Sequence, residues 1–357
     1  MKLTFFHIIL CLTICFCSCV KDKPNPDIRD FPAETSNGVI VLNEGSYGNN
    51  NAEFSFIDFE NQQVSNNIFK TVNSKSLGDV AQSITLINGR YYITINNSHK
   101  IVVVDTSDFT VLQTIENIKF PRYITQISND VAYISSLYMP HVYVLQLSTN
   151  LVTDTIFTDF PNTEKMLVVN NEVWISNWDT ACNYLYKIER TTNQLKEKVL
   201  ISGYAAHDIL QDKNGMLWIL SGNKYKNKVS VLTCINPVTN AIVKSMPFSA
   251  EEDPIRLTMN ASKDTIYYIN VNYDGNGNNN GLYRMDIAAG SLPLNPIVNA
   301  PSNTYFWALA IDSVTSHIFL SDPKGFTQSS TIYEYSGNGG LLRTYQTGVG
   351  SNQFLFR

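Results

Sequence analysis

The sequence predicts an all-β protein, a seven-bladed β-propeller of four-stranded antiparallel blades spanning residues 38–357. Three observations predict it. From Gly38 onward no stretch keeps a helical hydrophobic period, while short runs rich in Val, Ile, Tyr, Phe and Trp alternate with Asn, Gly, Asp and Ser clusters. A four-strand unit recurs six times, with second-strand aromatics at Tyr92, Tyr133, Trp174, Trp218, Tyr268 and Phe319 separated by 41, 41, 44, 50 and 51 residues. That is the spacing of propeller blades. Finally, the two ends of the repeat region carry complementary fragments of a seventh unit.

Taken in order, GVIVLNE (38–44), EFSFIDF (53–59) and VSNNIFK (64–70) read as the second, third and fourth strands of blade one, with no first. Blade two is 79–115, turning at Asn88-Gly89. Blade three is 122–156, turning at Asn129-Asp130, and blade four is 164–201, with Asn170-Asn171 in that place. Blade five is 207–246, turning at Asn214-Gly215, and the less regular blades six and seven are 255–298 and 305–347. GVGSNQFLFR (348–357) then reads as the missing first strand of blade one. Pairing it with the N-terminal three closes the ring and removes the open edges that would template aggregation. A β-solenoid or a pair of sandwiches is the competing fold, but sandwiches do not hold one four-strand pattern at a fixed period.

The first 18 residues have a charged start at Lys2 and an apolar run from Leu3 to Phe16, too short to span a bilayer. Ser18-Cys19 followed by the polar tether VKDKPNPDIRDFP resembles a bacterial lipoprotein signal, in which the cysteine becomes the acylated first residue. The expected division is a signal peptide at 1–18, a lipid-anchored tether at 19–37 with Cys19 lipidated, and the propeller. A plain secretory signal is the alternative, and export follows from both.

Of the 357 residues 44% are hydrophobic and 16% charged, a composition unlike that of disordered chains. The net charge of -5 and the absence of a basic run argue against a nucleic-acid partner. Only Cys182 and Cys234 belong to the folded body. Two cysteines make no disulfide framework or zinc site, so buried free thiols are expected, with a Cys182–Cys234 bridge as the alternative.

In a blade, the loop between second and third strands shares a face with the connection entering the next blade. Those loops carry Tyr47, Tyr138, Trp178, Tyr225, Tyr273, Tyr305 and Trp307, beside Asn96, Asn177, Asn223, Arg122, Lys165, His207 and Arg256. Aromatic plates with amide and guanidinium donors suit a flat, hydrogen-bonding organic ligand. The expected ligand-binding set is therefore Tyr47, Asn96, Arg122, Tyr138, Lys165, Asn177, Trp178, His207, Tyr225, Arg256, Tyr273 and Trp307, on the loop face and not inside the channel. No catalytic residues are assigned, since there is no HExxH, GxSxG, P-loop or strand-borne GxGxxG. No metal site is assigned either. DGNGNNNG from Asp274 looks like a calcium loop but lacks the sixth-position glycine and has Met285 at the twelfth position.

VLNEGSYGNNNAEFSFIDFENQQVSNNIF, LGDVAQSITLINGRYYITINNSHKIVVVD, the PRY of blade three, the SNW of blade four and KNGMLWILSGN of blade five resemble the YncE-like propeller lipoproteins of gut Gram-negative bacteria. Among these the sequence is most similar to the BtuG-type surface cobalamin-binding proteins. The resemblance implies an outer-membrane, cell-surface lipoprotein that needs no cofactor, captures vitamin B12 or a related corrinoid as ligand, and passes it to a TonB-dependent transporter without catalysing a reaction. Two other functions compete. One is an adhesin or scaffold binding a protein or glycan, and the other a hydrolase or lyase using an axial metal or carboxylates such as Asp79, Glu164 and Asp253.

Overall fold

The computed structural model describes residues 37–275 and 279–357. Cys19, the signal and all of the tether but its last residue lie outside them. The described residues form seven four-stranded antiparallel sheets, the seven-bladed propeller expected. Blade two shows the pattern, with Ala81–Ile87, Arg90–Ile95, Lys100–Asp105 and Val111–Ile115 laid side by side in chain order. In blade one the last strand, Ser351–Phe356, takes the first place beside Gly38–Asn43, with Val39 opposite Phe356 and Val41 opposite Phe354. First strands of successive blades face one another around the axis.

Strand side chains alternate between faces, and here both faces are covered by neighbouring blades. In blade three Ala132 and Ile134 pack toward blade two, while Tyr133 between them packs toward blade four. This is why strands such as IVVV (101–104) are continuously apolar. The six second-strand aromatics all lie in these inter-blade layers, none more than 2% exposed. The Asn88-Gly89 turn has φ of 48° and 71°, both left-handed, as a tight two-residue hairpin of the favoured twist requires.

Blade one differs from expectation at its edge. Its fourth strand ends at Ser65, and Ile68–Asn73 is a one-and-a-half-turn helix instead of the expected strand continuation to Lys70. The cause is the buried Glu53 carboxylate, which accepts from Phe69 N and Lys70 N at 2.9 and 3.0 Å and so satisfies the first turn's free N–H groups. Ile68 and Phe69 drop into the core, with Phe69 edge-on to Phe54 at 6.1 Å. The fourth strand of blade six is only Val298–Asn299, because Pro293 and Pro296 cannot donate to a ladder. The calcium-like segment 274–281 includes residues 276–278, outside the described ones. Among the described residues no group of three His, Cys, Asp or Glu could hold a metal.

Cys182 and Cys234 are free and buried. Burial pushes the Cys182 thiol up to about 12 and the Cys234 thiol up to about 11, so neither forms thiolate near neutrality. Alkylation of the native protein at pH 8 followed by peptide mass spectrometry is expected to leave both unlabelled, with full labelling only in guanidinium. Labelling of either in the native state would contradict the packing.

Candidate functional site

The first strand of a blade is interrupted near its start in six of the seven sheets. Between Ala81 and Ser83 the register with the second strand slips by one residue, and the same slip recurs between Pro121 and Ile124, Thr163 and Met166, Ala206 and Asp208, and Ile255 and Thr258. A sixth slip lies between Ser351 and Gln353. Such bulges bend the strand and re-aim a side chain. The re-aimed residues are Gln82, Arg122, Glu164, His207, Arg256 and Asn352. In blade seven Trp307 stands just ahead of its first strand. Together they ring one mouth of the axial channel, at the same end as the loops between second and third strands.

A cavity of about 340 Å³ opens there, within the range of organic ligand sites. Gln82, Arg122, Glu164, His207 and Arg256 of the ring line it together with Glu44, Tyr123 and Asp208, and Trp178, Tyr225, Asp253, Tyr273 and Trp307 are also in its lining. Seven of the twelve expected residues therefore share one cavity: Arg122, Trp178, His207, Tyr225, Arg256, Tyr273 and Trp307. Tyr225, Tyr273 and Tyr305 form a chain of rings with centroids 5.9 and 5.2 Å apart.

The other five do not line it. Asn96 and Asn177 are buried, and their side-chain amides donate to Pro121 O and Phe160 O, tying each loop to the neighbouring connection. Their recurrence reflects that tie. Lys165 lays its ammonium 3.8 Å from the Tyr123 ring centroid. Tyr138 packs edge-on against Phe120 and Tyr47 stands 79% exposed, both on the outer part of the face. Of the three carboxylates singled out for chemistry, Asp79 accepts from Gly48 N with both oxygens and so holds the 43–51 loop. Glu164 is ion-paired and Asp253 is on the cavity wall.

Each residue of the ring is hydrogen-bonded to another member or to a residue beside it. Arg122 Nε and Nη2 donate to the two oxygens of Glu164 at 2.8 and 3.0 Å, and its Nη1 donates to Gln82 Oε1. Gln82 Nε2 donates to the Tyr123 hydroxyl. Asn352 Nδ2 reaches Glu44 Oε2 and the carbonyl of Ala81. His207 Nδ1 lies 3.3 Å from Asp208 Oδ2. Arg256 Nε donates to Trp307 O, and its guanidinium lies 5.0 Å from the centroid of a Trp307 ring.

Electrostatics divide the acids. Burial would keep the Asp208 carboxyl protonated, but the contact with His207 and the fields of Lys165 and Arg256 outweigh it and hold it below its ordinary range. At Glu44 and Asp253 burial wins and the carboxyls titrate above their ordinary range, against Arg256 and Arg122 in one case and His207 and Lys224 in the other. Burial also works against the charge of Arg122, but Glu164 overcomes it and holds the guanidinium firmly ionised.

A family model described as a domain of unknown function, DUF5074, matches residues 37–352, the seven blades up to the first two residues of the closing strand. The chain belongs to this family. No curated protein matches the sequence. The DUF5074 propeller is similar in fold to a quinoprotein alcohol dehydrogenase-like protein from Bacteroides thetaiotaomicron, 13% identical over 91% of this chain and 79% of that one with a TM-score of 0.71. It is similar also to the hydrazine synthase of Kuenenia stuttgartiensis (13%, 76% and 87%, TM-score 0.62) and to a protein from Lactobacillus plantarum (12%, 90% and 99%, TM-score 0.63). At these identities the likeness is one of architecture, on which function is carried by the site and not by the fold.

Sequence reasoning missed Gln82, Glu44, Asp208 and Asn352 as members of the site and placed Glu164 among potential catalysts only. A signal was present. Gln82, Arg122, Glu164, His207, Arg256 and Trp307 each stand ten to twelve residues before the second-strand aromatic of their blade. Aligning the blades on those aromatics puts a polar or indole side chain at one repeat position where a channel-lining strand would otherwise be small or apolar.

Proposed function

We propose that this propeller is a non-enzymatic binding protein, lipid-anchored through Cys19 on the cell surface, that holds a corrinoid over the channel mouth and passes it to a TonB-dependent outer-membrane transporter. The observation that carries the reading is the cavity, in which bulged first strands deliver polar groups under a wall of Trp178, Tyr225, Tyr273 and Trp307. The ring is held by its own hydrogen bonds, so little ordering is needed when a ligand arrives, and such preorganisation favours affinity. A corrin is flat, large and edged with amides, so it would rest across the mouth, with one edge in the cavity. The resemblance of the NEGS-to-GDVAQS stretch to cobalamin-binding propellers supports the choice of ligand.

Calorimetric titration with cyanocobalamin tests this. Saturable binding at micromolar ligand is expected, weakened about tenfold by Trp178→Ala or Tyr273→Ala, since each removes an aromatic contact of roughly 1–2 kcal/mol. Tyr138→Ala, outside the cavity, should change it by less than about twofold. Absence of binding sinks the corrinoid assignment.

The exposed Tyr47 and Tyr138 on the outer part of the same face favour a second reading, a scaffold that docks a protein or glycan there. Recovery of a glycan-uptake transporter, and not a corrinoid transporter, with the tagged protein would support it.

A further inference from the structure

Arg256 differs from the other members of the ring in backbone and in bonding. In blades two to five the residue just before the first strand takes the left-handed conformation: Val80, Phe120, Asn162 and Ala205. In blade six that conformation falls inside the strand, on Arg256 itself, at φ 60°. For a long side chain this is strained by about 1–3 kcal/mol, and it persists only where the surroundings impose it. Here the surroundings are Trp307, whose carbonyl takes Nε at 2.9 Å and whose ring underlies the guanidinium.

The result is a guanidinium held by one edge. All three nitrogens of Arg122 are engaged by Glu164 and Gln82. The two terminal nitrogens of Arg256 have no hydrogen-bond partner and the residue makes no ion pair among the described residues, although it lines the cavity. The neighbouring acids do not take them: Glu164 is bound by Arg122, Asp208 accepts from Leu257 N and contacts His207, and Glu44, which feels the field of Arg256, makes its hydrogen bond with Asn352 Nδ2. The Trp307 indole N–H, on the same wall, is buried and faces the Glu44 carboxyl without a well-formed hydrogen bond. A rigid planar fork with two open donors matches an oxyanion that accepts with two oxygens.

We infer that Arg256 is the anion-recognising residue of this cavity, and that the ligand carries a carboxylate or phosphate group attached to a flat ring system that lies on the aromatic wall. The inference rests on the reading of the cavity as the ligand site, not on the ligand being a corrinoid. The groups facing Glu44 are Arg256, Arg122, Trp307, Asn352 and, more distantly, Tyr305. An anion arriving at Arg256 weakens the cationic field there, which stabilises the protonated form of Glu44 further. Binding should therefore be accompanied by proton uptake and should weaken as pH rises.

The test is a titration of the full chain with phenyl phosphate, benzoate and neutral benzamide, followed by tryptophan fluorescence. Both anions should bind saturably, the tighter one identifying the group, and benzamide about tenfold more weakly. Arg256→Gln should weaken the anions about tenfold and benzamide distinctly less, whereas Arg256→Lys should keep part of the anion affinity. Glu44→Gln should act in the opposite direction, tightening anion binding and flattening its pH dependence, an outcome that misfolding would not produce. The inference is overturned if neither anion saturates, if benzamide matches them, or if Arg256→Gln changes the anions by less than about twofold. Anion binding without cyanocobalamin binding would remove the corrinoid and keep Arg256. Cyanocobalamin binding indifferent to Arg256→Gln, with silent anions, would do the reverse.

Discussion

A chain ending at Gly350 is expected to lose its cooperative fold. The deleted strand is the first of blade one, and without it Gly38–Asn43, whose Val39, Ile40, Val41 and Leu42 are all fully buried, becomes an open apolar edge. Phe354 and Phe356 leave the layer they share with Phe319, and burial of Phe354 is worth about 3 kcal/mol or more, with a smaller contribution from the half-buried Phe356. The strand also ties blade one to blade two, because Asn352 donates to Ala81 O and Gln353 both donates to Ile84 O and accepts from Ile84 N. These losses together approach the roughly 5–15 kcal/mol that a domain has in total. Near-ultraviolet circular dichroism and a thermal scan should show no cooperative transition for the truncated chain, with aggregation through the exposed edge. A melt within a few degrees of the full chain would show that the closure contributes little. A peptide spanning 351–357, added in trans, should restore part of the signal.

The second large effect concerns the ring. Glu164 is 2% exposed and is held by two charge-assisted bonds from Arg122, itself 16% exposed. Arg122→Met keeps much of the volume but leaves a buried carboxylate with no cation, which costs roughly 3–5 kcal/mol. Only uptake of a proton relieves that carboxylate. In the variant the acidic form is the one the fold accepts, so the deficit should be fully present at pH 7 and shrink as the pH falls toward that of an ordinary carboxylic acid. The double variant Arg122→Met with Glu164→Gln should recover most of the stability at pH 7 and lose the pH dependence. Chemical denaturation at pH 7 and pH 5 measures both. A single variant equally destabilised at the two pH values would mean that the loss is one of packing, not of charge.

Most of the fold was legible because the propeller is written locally and repeatedly. Tyr92, Tyr133, Trp174, Trp218, Tyr268 and Phe319 occupy one position in successive blades, and each blade needs a large side chain there to fill the layer against its neighbour. The three strands at the N-terminal end and the single strand at the C-terminal end could be matched because strand order in a closed ring leaves a single vacant place. The segment after Ser65 was misread for an equally physical reason. NIFK has strand-like composition, but whether Ile68–Asn73 extends or coils depends on Glu53, fifteen residues away, whose carboxylate supplies acceptors to the helix start.

The site divides along the same line. That aromatic and polar residues gather on the face shared by the second-to-third loops follows from chain direction in an antiparallel blade, and so was readable from the sequence. Which of them meet was not. Asn96 and Asn177 look like donors for a ligand in sequence, yet both are turned to backbone carbonyls. Gln82 and Asn352, lying in unremarked strand positions 270 residues apart, are brought into one ring.

What the sequence by itself determined is the number of blades, their four-strand build, the buried aromatics and the face that carries the loops, since each of these is set by short-range hydrophobic pattern and repeat. Tertiary structure alone decided the register slips of the first strands, and with them the ring of Gln82, Arg122, Glu164, His207, Arg256 and Asn352 around the mouth. A bulge leaves no mark in the hydrophobic period of a single strand, because it arises from the mismatch between paired strands.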